Sequence, residues 1–374
     1  MSLTGPRPAG RLSELRPSPI RALSEGAPPD AVPMGLGEPG WALPEPARLA
    51  LAQQQGACAY GPNAGLPGLR DAVAAFHGAK AEQVMLGCGS QGVLYALFQA
   101  WLEPGDAVLV PDPGFLSYPA LARLAGAEPV GYALAADFSL DPVAFRAALD
   151  RTPEAKVAVV NHPGNPTGAG CTARALAEVA QACAARGILL LSDEVYRELC
   201  LGERAPSLRE VSETGLVLGS VSKAWGAPGL RVGWAIGDPA WLAPARLVHA
   251  YMVTAPARPA QLAAQALLEA SAGVLLEARA HLWRRWEAFA EAYGEAFGEA
   301  PKPSAGGFYH WQALPAGVAD PLAFCLRLRD EGGVVVVPGL AFGPGGRGHV
   351  RLSYAGDPAQ IREGLRRLAP FWSR

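Results

Sequence analysis

The chain has 374 residues, half of them hydrophobic and 18% charged, with a formal net charge of −2. This length predicts two or three domains with a large core, and the nearly balanced charge argues against a nucleic-acid-binding protein. The longest apolar stretch, around residues 93–102, is too short to span a bilayer. No basic region followed by an apolar segment opens the chain, so we expect no export signal.

The cysteines indicate the redox compartment. Six of them stand at positions 58, 88, 171, 183, 200 and 325, and none forms a CxxC pair. Scattered cysteines in a chain of this size are typical of a reducing cytosol rather than of a disulfide framework, so we expect a cytoplasmic protein. We interpret all six as small buried hydrophobic residues and assign no metal ligands.

The predicted elements begin after an N-terminal arm. Residues 1 to about 40 are rich in proline and arginine and predict an extended arm with one short helix near residues 11–15. From about 45 to 240, helical segments alternate with short, nearly continuous apolar runs, which are typical of strands covered on both faces. This alternation predicts a mostly parallel α/β sheet. The candidate strands are 84–86, 107–110, 129–132, 156–160, 188–191, 216–219 and 232–236, and the candidate helices are 90–102, 118–125, 142–148 and 173–185.

The pattern changes after about residue 255 and predicts a smaller α+β domain. We expect an arm over 1–44 that joins the small domain, a large cofactor-binding domain over 45–258, and a small C-terminal domain over 259–374. The elements expected in the last region are a long helix at 260–297, strands at 307–311, 334–337 and 349–353, a helix at 321–331 and a final helix from 358.

Residues 35–40 match the GxGxxG pattern of dinucleotide-binding loops. Such a site needs a helix that opens inside the loop. The next residues are Trp-Ala-Leu-Pro-Glu-Pro, whose prolines prevent a helix from propagating, so we set the dinucleotide interpretation aside.

Lys223 follows a predicted apolar strand directly, in the sequence Ser-Val-Ser-Lys. A lone lysine after a strand is usually a solvated surface group, but the small residues around this one predict partial burial. Burial disfavours the ammonium form, and a neutral amine is what Schiff-base formation with an aldehyde requires. Ser220 and Arg231 could then hold a phosphate from two sides, because a guanidinium offers a planar fork of donors.

Asp193 and Tyr196 follow the apolar run at 188–191. Strand ends in α/β sheets face the ligand crevice, and a carboxylate there can pair with a protonated ring nitrogen. Tyr196, one helical turn further on, could bond a ring hydroxyl. The alternative is that Asp193 caps a helix, and these residues alone leave both interpretations open.

Two loops add weaker signals. Asn165 lies in the turn sequence Asn-His-Pro-Gly-Asn-Pro-Thr-Gly after the strand at 156–160 and could donate to a ring oxygen or a carboxylate. Ser90 stands where a strand meets a long apolar helix, which favours either an anion site or a simple N-cap. His162 receives no role, because a packed or loop histidine is the simpler interpretation.

The order and spacing of these motifs resemble fold-type I enzymes that use pyridoxal 5′-phosphate, specifically the class I/II aminotransferase family. The resemblance runs from about residue 11 to the C-terminus and implies an α/β, PLP-dependent transferase-like fold. Its large domain would hold a mostly parallel seven-stranded sheet sandwiched by helices, beside a smaller α+β domain. Further matching pieces are Leu36-Gly37-Glu38-Pro39, Tyr60-Gly61-Pro62, residues 65–70, Pro113-Gly114-Phe115, Tyr118-Pro119 and residues 350–353.

The resemblance implies a role for each matching residue. Lys223 would hold the cofactor as a Schiff base and then carry the proton between Cα and C4′. Asp193 would pair with the pyridinium nitrogen, and Asn165 and Tyr196 would bond the ring oxygen O3′. The remaining cofactor contacts would be Gly89, Ser90 and Gln91 on the phosphate, Ser220 and Arg231 completing that cup, Phe115 stacked on the ring, and Tyr60 reaching the phosphate in the neighbouring subunit of a homodimer.

The substrate α-carboxylate would be held by Arg351, helped by Gly37 and Asn165. An arginine on a small-domain strand is often a surface residue, and Arg347 lies nearby, but the Val-Arg-Leu-Ser setting favours the carboxylate role. A bidentate arginine–carboxylate pair fixes the orientation of the substrate for proton abstraction.

The resemblance implies an aminotransferase that moves the amino group of an L-amino acid to a 2-oxo acid, and we expect 2-oxoglutarate in that role. The alternative on the same scaffold is a C–S β-lyase or another PLP lyase; a regulatory protein would need a DNA-binding domain for which the arm is too short. The substrate side chain stays open. A second carboxylate would need another cation, such as Arg16, Arg21 or a group from the partner subunit, whereas Pro19, Ile20 and Tyr309 would form an apolar pocket.

Overall fold

The computed structural model describes residues 8–13, 15, 17, 19–55 and 58–372. Within these ranges the chain forms twelve strands and thirteen α-helices. The strands are β1 (Val32–Pro33), β2 (Val84–Cys88), β3 (Ala107–Asp112), β4 (Glu128–Ala133), β5 (Ala155–Asn161), β6 (Leu189–Asp193), β7 (Leu216–Ser220), β8 (Val232–Ile236), β9 (Tyr309–Ala313), β10 (Val334–Val335), β11 (Val337–Pro338) and β12 (His349–Ser353). The helices are α1 (Pro19–Glu25), α2 (Glu45–Ala52), α3 (Pro67–Phe76), α4 (Gly89–Trp101), α5 (Ser117–Leu124), α6 (Pro142–Asp150), α7 (Ala173–Ala184), α8 (Leu208–Val211), α9 (Pro239–Val253), α10 (Arg258–Glu269), α11 (Ser271–Phe297), α12 (Pro321–Asp330) and α13 (Pro358–Trp372).

A seven-stranded sheet forms the centre of the fold, in the order β2-β8-β7-β6-β5-β3-β4. The strands β7, β6, β5, β3 and β4 run parallel to one another, and β8 is antiparallel to both β2 and β7. The mostly parallel sheet predicted from the alternating helices and apolar runs is therefore confirmed. All seven candidate strands are present, with ends that move by at most two residues.

Helices cover both faces of this sheet, which explains why its strands are apolar throughout. Successive residues of a strand point to opposite faces. Accordingly, Leu190 packs in a core with Phe145 of α6 and Leu176 of α7, whereas Leu191 packs on the other face with Leu97 of α4. A strand buried on both sides has no polar face to alternate with.

The C-terminal region differs from the sequence predictions in two places. The expected helix over 260–297 is two helices, α10 and α11, because the backbone leaves helical geometry at Ala270. No proline marks this break. The expected strand over 334–337 also divides: β10 pairs in parallel with β1, and β11 pairs with β12 in the antiparallel sheet β11-β12-β9.

The N-terminal arm is more ordered than its composition suggests. The helix expected near residues 11–15 is a single 3-10 turn at Gly10–Leu12, and the helix α1 was not predicted. The arm joins the C-terminal region, because Val32 pairs with Val334 and the backbone N–H of Ser353 donates to the carbonyl of Met34 at 2.7 Å. The domain boundaries given above stay a prediction.

The cysteines and the hydropathy of the helices were also predicted from the sequence. All six cysteines are free thiols, but Cys58 is exposed, so the interpretation of every cysteine as a buried hydrophobe is wrong at that position. Cys88 and Cys171 are only partly buried. Among the described residues, no helix combines the length and the hydropathy that a membrane span requires.

Candidate active site

Three parallel strands end side by side at one edge of the central sheet. The register aligns Asn161, the last residue of β5, with Asp193, the last residue of β6, and β7 follows at Ser220. Carboxyl ends of parallel strands are where α/β sheets bind ligands. A cavity of about 250 Å³ opens there. It is lined by Ile20, Gly37, Glu38, Ser90, Gln91, Phe115, Tyr118, Asn161, Asn165, Asp193, Val195, Tyr196, Ser222, Lys223, Pro228, Arg231, Tyr309 and Arg351.

Asp193 lines this cavity and is 4% exposed. Its Oδ2 accepts a hydrogen bond from the hydroxyl of Tyr118 at 2.7 Å, and its Oδ1 accepts one from the backbone N–H of Val195 at 3.3 Å. Burial raises the pKa of Asp193 to about 6, because an apolar site disfavours the charged form. The chain continues in turns rather than a helix, so the helix-cap alternative for Asp193 is wrong, and Tyr196 reaches the cavity from a turn.

Lys223 lies three residues beyond β7 and is half-buried. Its Nζ donates to the carbonyl oxygen of Gly37 at 2.6 Å and stands 5.5 Å from the ring centroid of Tyr196. A neutral oxygen is its hydrogen-bond acceptor, and within the described chain no carboxylate forms an ion pair with it. The amine is therefore held in the cavity without being neutralised.

A pair of buried tyrosines forms the wall beside Lys223. The hydroxyls of Tyr196 and Tyr309 lie 2.8 Å apart in a hydrogen bond. Burial raises the pKa of Tyr196 well above its usual range, so its hydroxyl stays protonated at neutral pH. Tyr309 comes from β9, which places a residue of the antiparallel sheet directly against the central site.

Arg351 is a buried cation without an acidic partner among the described residues. It is 2% exposed and donates to Oδ1 of Asn165 and to the carbonyl of Gly35, each at 2.6 Å. Its guanidinium lies between the rings of Tyr309 and Phe342, 4.3 and 4.8 Å from their centroids, and its Nε has no partner. A buried charge is costly unless an opposite charge reaches it. This geometry fits the recognition of an anion.

The N-terminus of α4 forms an open cradle next to Arg231. Cys88, in the N-cap position, gives no side-chain hydrogen bond to the first turn of the helix. Gly89 has a φ of 73°, and a Cβ at this position would collide with the guanidinium of Arg231. The first N–H groups of a helix and a neighbouring arginine are a recurrent arrangement for binding phosphate.

Most of the predicted site residues meet in this cavity. Those that line it are Gly37, Ser90, Gln91, Phe115, Asn165, Asp193, Tyr196, Lys223, Arg231 and Arg351. Gly89 lies immediately behind the Arg231 guanidinium. Ser220 points elsewhere: its hydroxyl donates to the Val232 carbonyl at 3.0 Å and lies 2.7 Å from the Ser222 hydroxyl, and Ser222 lines the cavity instead. Tyr60 is 89% exposed and distant from the lining. The functional roles of all these residues stay predictions.

Sequence reasoning gave no site role to three side chains that line the cavity, Asn161, Ser222 and Tyr118. Asn161 donates to the Asp193 carbonyl at 2.9 Å and accepts from the Asn165 N–H at 2.8 Å, so it fixes both neighbours. Asn161 opens the asparagine-rich turn sequence, and Ser222 directly precedes Lys223, so both carried a local signal. Tyr118 reaches the site from a distant segment, and no local pattern identifies its role. Tyr309, predicted as part of an apolar pocket, also lines this cavity. His162 is buried against the Pro206 carbonyl and lies outside this cavity.

These residues fit pyridoxal 5′-phosphate on their chemistry. The cofactor needs an amine for its aldehyde, a carboxylate for its ring nitrogen and donors for its phosphate. Lys223, Asp193 and the α4 cradle with Arg231 offer these three groups in one cavity. Arg351 takes no part in these three contacts and has no acidic partner among the described residues. In the described part of the chain, no three His, Cys, Asp or Glu side chains are grouped as a metal site.

Comparisons with known proteins agree with this chemistry. The family model described as "Aminotransferase class I and II" matches residues 29–368. The chain is 35% identical over 361 residues to the aspartate/prephenate aminotransferase of Thermus thermophilus, with 92% of each chain covered. It is 32% identical over 348 residues to the arginine–pyruvate transaminase of Pseudomonas aeruginosa, covering 90% of this chain and 88% of that one. The structure of the Thermus thermophilus aspartate aminotransferase with maleate matches with a TM-score of 0.90 at 32% identity, covering 98% of this chain and 100% of that chain.

The raised pKa of Asp193 gives a pH-dependent prediction for the cofactor-free protein. The folded pKa of about 6 exceeds the unfolded value of 3.8, so the folded state holds the proton more strongly. The free energy of unfolding should therefore fall as the pH rises from about 4 to about 6, by roughly 3 kcal/mol from this group. Asp193→Asn should remove this loss and become more stable than the wild type above about pH 6.

Urea unfolding of the cofactor-free protein over a pH series measures this difference. Glu194→Gln is the matched control, because Glu194 is also buried and burial raises its pKa to about 7 from 4.5. Its difference from the wild type should therefore develop at higher pH than that of Asp193→Asn. A difference for Asp193→Asn that does not change with pH contradicts the prediction.

Proposed function

The chain belongs to the class I and II aminotransferase family, whose members use pyridoxal 5′-phosphate, and from this premise we propose that it transfers the amino group of an L-amino acid to a 2-oxo acid, with Lys223 binding the cofactor aldehyde. One observation carries the proposal. A single cavity brings together an amine, a buried carboxylate and a buried guanidinium that no described acidic side chain neutralises. The first two groups suit the cofactor, and the third suits a substrate carboxylate.

We propose a residue of this chain for each contact of the cofactor. When bound, pyridoxal 5′-phosphate supplies an aldehyde that takes up amino groups and a ring that accepts electrons from Cα. Asp193 would hold a proton on the ring nitrogen, and Asn165 and Tyr196 would donate to the ring oxygen. Gly89, Ser90 and Gln91 at the start of α4 would hold the phosphate together with Arg231, and Ser222 would take the place expected for Ser220. Phe115 would cover one face of the ring.

The proton transfer falls to Lys223. Its Nζ is half-buried and bonded only to a backbone carbonyl, so it can turn from the Gly37 oxygen towards a bound substrate. In the proposed reaction, Lys223 would remove the proton from the substrate Cα and would return one at C4′. An amine within reach of both positions can act first as a general base and then as a general acid.

Arg351 would orient the substrate for this transfer. Its two terminal nitrogens bond Asn165 and Gly35, and its Nε lacks a partner, so a carboxylate gains an unneutralised and already positioned cation. A buried ion pair of this kind fixes the Cα–H bond relative to Lys223. Asn165 links the two halves of the site, since it contacts Arg351 and faces the cavity.

We propose 2-oxoglutarate as the amino acceptor. The similarity to aspartate aminotransferases supports this choice. The structure of one of them contains maleate, which is a dicarboxylate like 2-oxoglutarate. The similarity to an arginine–pyruvate transaminase leaves the amino donor open. Among the described residues, the cations that line the cavity are Lys223, Arg231 and Arg351. Ile20, Glu38 and Tyr309 also line it, whereas Pro19 does not. Arg16 and the Arg21 side chain, the other candidate cations, lie outside the described residues.

We also propose a homodimer in which Tyr60 completes the neighbouring site. This tyrosine is 89% exposed and lies outside the cavity of its own chain, so it is available to another subunit. An exposed apolar set that includes Leu247 and Tyr251 of α9 offers further surface for association. A cytoplasmic location is proposed from the six free thiols.

Lys223→Ala should abolish transamination, because no other amine lines the described cavity. The measurement is the visible absorption of bound cofactor during addition of L-amino acids, followed by 2-oxoglutarate. In the wild type, good donors should bleach the band and the acceptor should restore it. Lys302→Ala, at an exposed lysine, is the control and should behave as the wild type.

Three outcomes of this measurement contradict the proposal. Substantial amino transfer by Lys223→Ala would remove the lysine from the mechanism. A band that persists in the wild type while pyruvate and ammonia appear would indicate a lyase. Absence of a band after added cofactor would refute the cofactor assignment as well.

Arg351→Lys should raise the KM for amino and oxo acids by roughly 10- to 100-fold, because lysine keeps the charge but loses the planar fork of donors. Steady-state kinetics with both substrates measure the change. Arg347→Lys is the matched control: Arg347 is exposed and lies four residues earlier in the chain. Equal KM values for the two variants would refute the carboxylate role of Arg351.

Subunit mixing tests the role of Tyr60. Tyr60→Ala and Lys223→Ala chains should each lose activity alone, but a mixed dimer contains one site with intact Lys223 and the partner's intact Tyr60. An equimolar, fully exchanged mixture should recover about one quarter of wild-type activity. Asp193→Ala mixed with Lys223→Ala is the control, because both residues belong to one chain's site and no complete site can form. Equal recovery in the two mixtures, or none in either, contradicts a shared site.

A further inference from the structure

We infer that Tyr118 is a positioning residue that keeps the proton shared by Asp193 and the cofactor on the ring nitrogen instead of on the carboxylate. The inference rests on the proposed function, in which Asp193 pairs with that nitrogen. No catalytic contact with the substrate is assigned to Tyr118. It acts through Asp193.

The contact that carries this inference joins two buried groups. Tyr118 lies on α5, is 1% exposed, and donates its hydroxyl proton to Oδ2 of Asp193 at 2.7 Å. The other donor to this carboxylate, the Val195 N–H on Oδ1, is longer at 3.3 Å. Tyr118 therefore provides the stronger of the two hydrogen bonds, because hydrogen bonds to carboxylates weaken with distance.

The electrostatics of the site make this donor important. Burial raises the pKa of Asp193 to about 6, which brings the carboxylate close to competing with a pyridine nitrogen for one proton. The Tyr118 hydrogen bond, the Val195 N–H and the nearby Lys223 each lower that pKa. Removing the phenol makes Asp193 more basic and draws the shared proton onto the carboxylate.

Tyr118 keeps its own proton, so its hydroxyl can donate to the carboxylate. Burial, with the adjacent Asp193, raises the pKa of its phenol well above the usual range, so it stays a donor throughout the working pH. The other titratable groups around the pair are Lys223 beyond β7, Tyr196 in the turn after β6, and Tyr132 on β4. Of these, Lys223 lowers the pKa of Asp193, in the same direction as Tyr118.

The position of Tyr118 is fixed by the turn that carries it. Its N–H donates to the Phe115 carbonyl at 3.1 Å, and the two rings meet edge to face with centroids 5.5 Å apart. The intervening Ser117 contacts Oε1 of Gln91 at 3.4 Å. One turn of chain thus carries Phe115, which is proposed to cover the ring, Ser117, which contacts Gln91 of the proposed phosphate cradle, and Tyr118, the donor to Asp193.

Tyr118→Phe tests the inference, because it removes the hydroxyl and keeps the ring. The readout is the nitrogen NMR shift of protein loaded with cofactor labelled at the ring nitrogen, which reports where the proton lies. The ratio of ring-protonated to Asp193-protonated forms should fall by about tenfold, the effect of about one pKa unit on Asp193. Turnover should fall with it, and KM should not change, since Arg351 is intact.

Tyr132→Phe is the matched control. Tyr132 is equally buried and donates to the Val159 carbonyl at 2.9 Å, without touching Asp193. It should leave the nitrogen shift at the wild-type value even where it lowers stability. If Tyr118→Phe does not fold, 3-fluorotyrosine at position 118 replaces it; this more acidic phenol strengthens the donor and should move the proton further onto the ring nitrogen.

The outcomes separate this inference from the function on which it rests. An unchanged nitrogen shift in Tyr118→Phe, or in the fluorotyrosine protein where Tyr118→Phe does not fold, would overturn the inference and leave the aminotransferase intact. Equal shifts in Tyr118→Phe and Tyr132→Phe would overturn it too, because they would indicate a general loosening of the core. Failure of the wild type to bind the labelled cofactor would refute the proposed function itself.

Discussion

The buried positive charge of Arg351 is the constraint on which the arrangement of this molecule depends. A guanidinium out of water is costly unless its donors and its charge are met. Its donors are met by Asn165, from the loop after β5, and by the carbonyl of Gly35, from the segment after β1. Its faces are covered by Tyr309 and Phe342. Because these groups come from four separate segments, the arm, the central sheet and the antiparallel sheet must come together correctly to bury this one charge.

The charge of Arg351 remains available to a substrate because the protein keeps it away from Asp193. These two buried groups of opposite sign would neutralise each other if they met. Tyr196 lies within the field of both, and its hydroxyl is occupied by Tyr309. Neutral hydrogen-bonding groups therefore separate the two charges, and each charge remains uncompensated. The pKa of Asp193 stays raised, which a cationic ring nitrogen would relieve, and Arg351 lacks an anion. These uncompensated charges lower the stability of the ligand-free protein, and they leave the site able to bind groups of opposite charge.

How much of this could be predicted from the sequence depends on how local each feature is. The strands β8 and β12 have the predicted bounds, because apolar runs bounded by turns are a local signal. Lys223, Asp193 and Asn165 were found because each follows such a strand, and parallel strands bring their ends together. The break at Ala270 was missed because alanine and serine there are compatible with a continuing helix. Tyr118 was given no role because its partner Asp193 is 75 positions away, and only the fold brings the two together.

The segment at residues 35–37 shows how a local motif can be read wrongly and still matter. Its glycines match a dinucleotide loop, but no helix follows until Glu45. The backbone explains them instead: a Cβ on Gly37 would collide with the Tyr309 hydroxyl, so only glycine lets the chain approach this closely. That approach delivers the Gly35 carbonyl to Arg351 and the Gly37 carbonyl to Lys223, each at 2.6 Å. Two oxygens two residues apart thus hold the two cations proposed for substrate binding and for proton transfer. A displacement of this segment would change both contacts together, so the N-terminal arm is part of the active site rather than an appendage to it.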